Sequence, residues 1–273
     1  MQSALARGSA DEPRTISVGA DPSGIVYARG MLYVADAYSG AIHQVAGARQ
    51  RRIATIETGG VIANDRIGGI AVASHGILYV SRLGHGQAGA IIRVERDGRM
   101  RTLPQLPACW WRSGIVYDAC EPALYTTQYM TSQSGGFVGG IVEIDLVSGE
   151  PSLVLDGFQQ PIGIAKLGAM LVVTDARQRA VFRVEIAAGR AVRRFQLTSY
   201  LGRPAGICAF DEDSVIVTAF DDQTRSGEVR RIWLDGQTER IATGPWDPSG
   251  VASDGSWVWV STRRSGRVLA FQL

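Results

Sequence analysis

Lysine is almost missing from this chain: Lys166 is the single one among 28 basic residues. Arginine selected for carboxylate or phosphate contacts is one explanation. Coding bias is the simpler one, because the arginines are scattered through every segment. Cysteine is also scarce. Cys109, Cys120 and Cys208 are odd in number and lack CxxC spacing, which excludes a readable disulfide framework or thiolate zinc site. No stretch of about 18 uninterrupted apolar residues exists, so no membrane-spanning helix is expected. The formal charge is only +2, so the electrostatic footprint of a nucleic-acid binder is missing. Residues 1–15 have no apolar core of a secretory signal, and a cytoplasmic location is the expectation. There is no GxSxG elbow and no HExxH, and GGFVGG (135–140) lacks the strand–GK[ST]–helix context of a phosphate loop.

What is present is apolar and turn-rich. Hydrophobic residues make up 45% of the 273, and glycine contributes 33. That excludes a disordered chain and favours many turns over long helices. A short phrase recurs six times: DPSGIVY (21–27), RIGGIAV (66–72), WRSGIVY (111–117), QPIGIAK (160–166), RPAGICA (203–209) and DPSGVAS (247–253). Its aligned glycines are Gly24, Gly69, Gly114, Gly163, Gly206 and Gly250. About ten residues on, each copy carries a β-type run: Leu32–Val34, Leu78–Val80, Leu124–Thr126, Leu171–Val173, Val215–Val217 and Val258–Val260. A third run follows in each copy and a weaker fourth in most.

Four short strands per copy and no helical periodicity predict an all-β, six-bladed β-propeller over residues 13–273, after a frayed arm at 1–12. The last copy stops after three strands. Thr15–Val18 is the expected fourth, knitting the two chain ends into one blade and removing free sheet edges. The first strand of each blade then lines a central channel. The loop entering it and the loop between second and third strands lie on one face, called the top.

The segments PSGIVYARGMLYVADAYSGAIHQV (22–45) and PSGVASDGSWVWVSTRRSGRVLAF (248–271) resemble NHL-type repeats. They are also similar to the gluconolactonase–regucalcin group and to streptogramin lyases, over about residues 14–273. The resemblance implies a six-bladed ring, and by analogy a hydrolase or lyase. The regucalcin-type group implies a divalent metal held by residues just before the glycines. Those positions here are Ser23, Gly68, Ser113, Ile162, Ala205 and Ser249, none a carboxylate or amide. The late His–Glu pair of the lyases has no match either, since the last histidine is His85. No cofactor is therefore required by the pattern. A non-family Ca²⁺ or Mg²⁺ site could draw on Asp21, Asn64, Asp65 and Asp247 with Asp36 and Asp175, although turn chemistry explains the Asp-Pro pairs more simply.

Just past the second strands stand Asp36, Arg82, Gln128, Asp175, Ala219 and Thr262, a mostly polar ring at the top. Asp36, Asp175 and His85, in the RLGHGQAG loop, are the candidate proton carriers. Arg82 and Arg112 are candidates for fixing charge, and Trp111, Gln128, Tyr129, Phe220, Trp246 and Thr262 for holding a carbon skeleton. Packing between blades is the alternative for the aromatics. The Gln128–Gly140 loop reads as a mobile flap over the mouth. These features predict a monomer with one small organic ligand at the top of the channel, as an enzyme or as a non-catalytic ligand- or protein-binding propeller.

Overall fold

The structure, a computed structural model, describes residues 13–47, 49–57, 66–84, 88–199, 202–263 and 265–273. The predicted arm at 1–12, Asn64, Asp65 and His85 lie outside the described residues. After β1 (Arg14–Ser17), blade 1 is β2 (Pro22–Ala28), β3 (Met31–Asp36), β4 (Ala41–Ala46) and β5 (Arg49–Thr55). Blade 2 is β6 (Ile67–Val72), β7 (Leu78–Arg82), β8 (Ala90–Val94) and β9 (Met100–Thr102). Blade 3 is β10 (Trp111–Asp118), β11 (Ala123–Thr131), β12 (Phe137–Asp145) and β13 (Pro151–Phe158). Blade 4 is β14 (Pro161–Leu167), β15 (Met170–Asp175), β16 (Ala180–Ala187) and β17 (Arg190–Thr198). Blade 5 is β18 (Arg203–Ala209), β19 (Ser214–Asp221), β20 (Ser226–Trp233) and β21 (Thr238–Gly244). The last blade is β22 (Pro248–Ser253), β23 (Trp257–Thr262) and β24 (Arg267–Gln272), completed by β1.

The six sheets stand in a ring with the expected closure. β1 runs antiparallel to β24, with Arg14 opposite Ala270 and Ser17 opposite Arg267. Val18 then donates its N–H to Gly266 O at 2.7 Å and buries its side chain with Ile25, Val34 and Val268. The core lies between blades. Val80 and Leu78 pack with Ala35 and Tyr33 of the preceding blade, and Val217 and Val215 pack with Val172 and Ala165. Second strands, flanked on both faces, are nearly all apolar. Outer strands alternate or are exposed, as in β5, RQRRIAT. Among the described residues the only helical element is the 3₁₀ turn Ser74–Gly76, and no helix is long and apolar enough to cross a membrane.

One expectation is corrected here. Gln128–Gly140 is not a mobile flap. β11 and β12 extend through it in register, Gln128 opposite Gly140 and Thr131 opposite Phe137, leaving only a short turn. Gly139 and Gly140 serve close packing. A Cβ on Gly139 would fall 2.5 Å from Pro161 Cδ, and one on Gly140 would fall 2.7 Å from Leu155 O. Cys109 and Cys120 are exposed free thiols, one before β10 and one in the turn between β10 and β11. Cys208 lines the channel, and burial pushes its thiol up to about 12.

Candidate functional site

Each inner strand slips register at the repeated phrase. The ladder breaks between Pro22 and Ile25, Ile67 and Ile70, Arg112 and Ile115, Pro161 and Gly163, Pro204 and Ile207, and Pro248 and Val251. The glycine lies at this bulge because the next blade leaves no room for a side chain. A Cβ on Gly163 would fall 2.6 Å from Ala205 O, and one on Gly114 would fall 2.6 Å from Ile162 O. Gly250 presses in the same way against Ser23 O, closing the circle from the last blade to the first.

The bulged glycine N–H needs an acceptor. It finds one in a second-strand hydroxyl one residue before the polar ring. Thr174 Oγ1 accepts from Gly163 N (2.9 Å) and donates to Ala205 O (2.7 Å). Thr127 does the same for Gly114 N and Ile162 O, and Ser261 for Gly250 N and Ser23 O. Ser81 bridges Gly69 N and Ser113 O, and Thr218 accepts from Gly206 N. Blade 1 has Ala35 there, and Ser23 Oγ instead donates to Ala35 O and Ile67 O. These hydroxyls fix the walls of a central channel of about 420 Å³. Their signal was in the sequence: a Ser or Thr stands in this register in five of the six second strands.

The bulge sets the first residue of every phrase at the top entrance: Asp21, Arg66, Trp111, Gln160, Arg203 and Asp247. Arg66 pairs with Asp21 at 3.1 Å, and Arg203 and Arg179 share Asp222 at 3.7 and 3.8 Å. Arg263 lines the mouth, with its Nε 3.9 Å from Asp247 Oδ1. Its surroundings come from several blades. Burial lowers its pKa, Asp247 and Asp21 oppose that, and Arg203 and Arg66 add to it. Part of the side chain still sees solvent, as a group in a concave funnel does.

Beside this frame lies an aromatic corner. Trp111, Tyr129 and Phe137 meet edge to face, with ring centroids 5.3, 6.2 and 5.9 Å apart. The Arg177 guanidinium lies 5.7 Å from the Phe137 ring. Tyr129 is buried, with its phenol hydrogen-bonded to the Gln160 side chain. Burial raises its pKa, while Gln160 and Arg263 pull the other way without cancelling the rise. Arg263 acts on the phenol only through its charge.

The other expected site residues occupy different surroundings. Asp36 is fully buried and receives the N–H groups of Ala20, Asp21, Tyr38 and Ser39 and the Ser39 hydroxyl. Asp175 repeats this with the N–H groups of Gln159, Gln160, Arg177 and Gln178. Each carboxylate ties the loop entering its blade to the turn after its second strand. Arg112 is wholly buried, and its Nη1 donates to Gly89 O, Pro107 O and Trp110 O. Burial draws its pKa down to about 10, and it holds the connection between blades 2 and 3. Gln128 and Thr262 are buried, and Thr262 Oγ1 donates to Arg267 O at 2.9 Å within its turn. Arg82, at the end of β7, is half-buried. Phe220 lies under Arg203, 5.9 Å from its guanidinium. Trp246 packs on Phe271 and over Gly227 and Gly244, within the core between blades 5 and 6.

Among the described acidic groups of the mouth, Asp21 and Asp247 lie beside Arg66 and Arg263, so a cation between them would face guanidinium charge. Among the described residues no group of three or more His, Cys, Asp or Glu could hold a metal.

No protein-family model matches this chain, and no curated protein matches it. Solved structures do. The fold is similar to the PQQ-bound form of an aldose sugar dehydrogenase from Streptomyces coelicolor (TM-score 0.70, 18% identity, 99% of each chain covered). It is similar to a calcium-binding regucalcin from Agrobacterium tumefaciens (0.69, 13%, 94% of this chain and 90% of the other). It is also similar to virginiamycin B lyase from Staphylococcus aureus (0.64, 13%, 95% and 98%). At these identities the likeness establishes the architecture, a six-bladed propeller with neighbours in those three groups, and nothing about activity.

Proposed function

We propose that this protein is an enzyme acting on a small organic molecule at the top mouth of its channel, with hydrolase- or lyase-type acid–base chemistry. The observation that carries this is the Tyr129 phenol, buried in the aromatic corner beside the mouth and hydrogen-bonded to Gln160. Such a group donates a proton or hydrogen bond to an oxygen that gains charge, and the Arg263 guanidinium stabilises that charge. Trp111 and Phe137 shield the corner from water. Asp36 and Asp175 position the surrounding loops, and His85 of the RLGHGQAG segment is the candidate base named from the sequence. The partner in this reading is the small molecule alone, with the ring working as a monomer in the cytoplasm.

The second reading is a ligand-binding propeller without turnover. It is favoured by one observation: both ring carboxylates are taken up by backbone N–H groups. A screen of lactones and aryl esters separates the two, followed by Tyr129→Phe. The enzyme reading expects turnover that falls about 100-fold in kcat, with an unchanged melting temperature. Turnover that survives Tyr129→Phe overturns the assignment of Tyr129. Binding without turnover, weakened by Trp111→Ala, establishes the second reading.

A further inference from the structure

Among the described residues of the mouth, Arg66 pairs with Asp21, Arg203 and Arg179 face Asp222, and Arg263 has its Nε 3.9 Å from Asp247 Oδ1. That Nε has no hydrogen-bond partner, nor has Asp247 Oδ1 facing it, and no described residue accepts from the Arg263 guanidinium within hydrogen-bond distance. Arg263 therefore looks into the channel with its outer nitrogens unassigned.

Directly below, the channel changes character. The residue after each repeated glycine is a β-branched aliphatic: Ile25, Ile70, Ile115, Ile164, Ile207 and Val251. All six border the shaft, with side chains largely buried between blades. The next tier includes Ala71, Ala165 and Ala252. The cation at the far end, Lys166, is already held by Asp118 at 2.9 Å. One end of the cavity is thus a partly buried guanidinium whose Nε lacks a hydrogen-bond partner, and the wall below it is more apolar than polar.

We propose that the ligand of this site is an amphiphilic organic carboxylate, its carboxylate on the outer nitrogens of Arg263 and its apolar body in the aliphatic shaft. This rests on the top mouth being the ligand site. A planar fork of N–H donors matches a carboxylate in two parallel hydrogen bonds. A neutral ligand would cover Arg263 without neutralising it, which desolvation makes unfavourable. A small hydrophilic anion would leave the shaft unfilled.

The test is titration calorimetry of the full chain with straight-chain carboxylates from butanoate to dodecanoate, and with the primary alcohols and amines of equal length. We expect one site per chain and affinity rising about fourfold per methylene until the shaft is full. The matched alcohol should bind at least about tenfold more weakly and the amine weaker still. Arg263→Met should erase the preference for the acid over the alcohol, and Arg263→Lys should keep part of it. Equal binding of acid and alcohol, a preference that survives Arg263→Met, no dependence on chain length, or several sites per chain would each overturn the proposal. If carboxylates fail while Tyr129→Phe still abolishes turnover of another substrate, this inference falls and the catalytic reading stands. If carboxylates bind as described and no turnover is found, the reverse holds.

Discussion

Thr174→Val tests how the channel wall is built. Valine keeps the shape of threonine and replaces the hydroxyl with a methyl group that can neither accept nor donate. In this structure that hydroxyl is fully buried, accepting from Gly163 N at 2.9 Å and donating to Ala205 O at 2.7 Å. The substitution strands a bulged N–H that has lost its place in the ladder and weakens the bonding of a carbonyl in the next blade. A stranded buried group costs about 1–3 kcal/mol, so the two together cost roughly 3 kcal/mol, weighted toward the N–H. For a domain of this size each kcal/mol lowers Tm by about 2 °C, giving a fall near 6 °C. Thr174→Ser is the control. It keeps the hydroxyl and loses one buried methyl, about 1 kcal/mol and roughly 2 °C. Calorimetric melts of the three proteins, with urea unfolding to confirm an unchanged m-value, read the difference. If Thr174→Ser falls as far as Thr174→Val, the wall is held by packing, and the inter-blade hydroxyl bridge is incidental.

Gly250→Ala should cost several kcal/mol, about 3 or more, because a Cβ there runs into Ser23 O and Ile25 at the closure of the ring. Gly136→Ala, whose Cβ would meet only Ser132 Oγ at 3.7 Å, should stay within about 0.5 kcal/mol; equal losses in chemical denaturation would remove the steric explanation. Deleting residues 1–18 exposes the edge of β24 and uncovers Val268, so light scattering should detect association or loss of the folded monomer. A stable, monomeric truncated protein with an unchanged melt would refute the closure. Burial pushes the Asp36 pKa up, but the N–H groups of Ser39, Asp21 and Ala20 and the Ser39 hydroxyl outweigh it and leave the folded value below 3.8. Its stabilising contribution is therefore complete above the unfolded carboxyl pKa of about 3.9 and is lost as pH falls through the lower folded value. Asp36→Asn should be less stable by about 2 kcal/mol at neutral pH, and urea titrations should show the gap to wild type shrinking below about pH 4. A gap independent of pH would mean that the carboxylate charge is not what binds the loop.

The architecture was legible because propeller blades repeat. The same register problem is solved six times, so the glycine phrase and the apolar second strand recur in the sequence at nearly even intervals. Even the splice of Thr15–Val18 onto the last blade follows from a strand count, since an unpaired edge is unfavourable in any ring. The site was legible only as a level in the fold. The sequence located the top ends of the second strands, but an Asp at such an end reads alike whether its oxygens face a ligand or backbone N–H groups. Asp36 and Asp175 face the backbone because the loop entering each blade folds back over the strand end, a contact between segments about fifteen residues apart. The glycines of 135–140 read as mobility, whereas neighbouring Pro161 and Leu155 make two of them a packing requirement. Arg263 was one scattered arginine among many in the sequence. Its standing comes from side chains of blades 1, 2, 5 and 6 converging on one mouth, an arrangement set by ring closure and not by any local pattern.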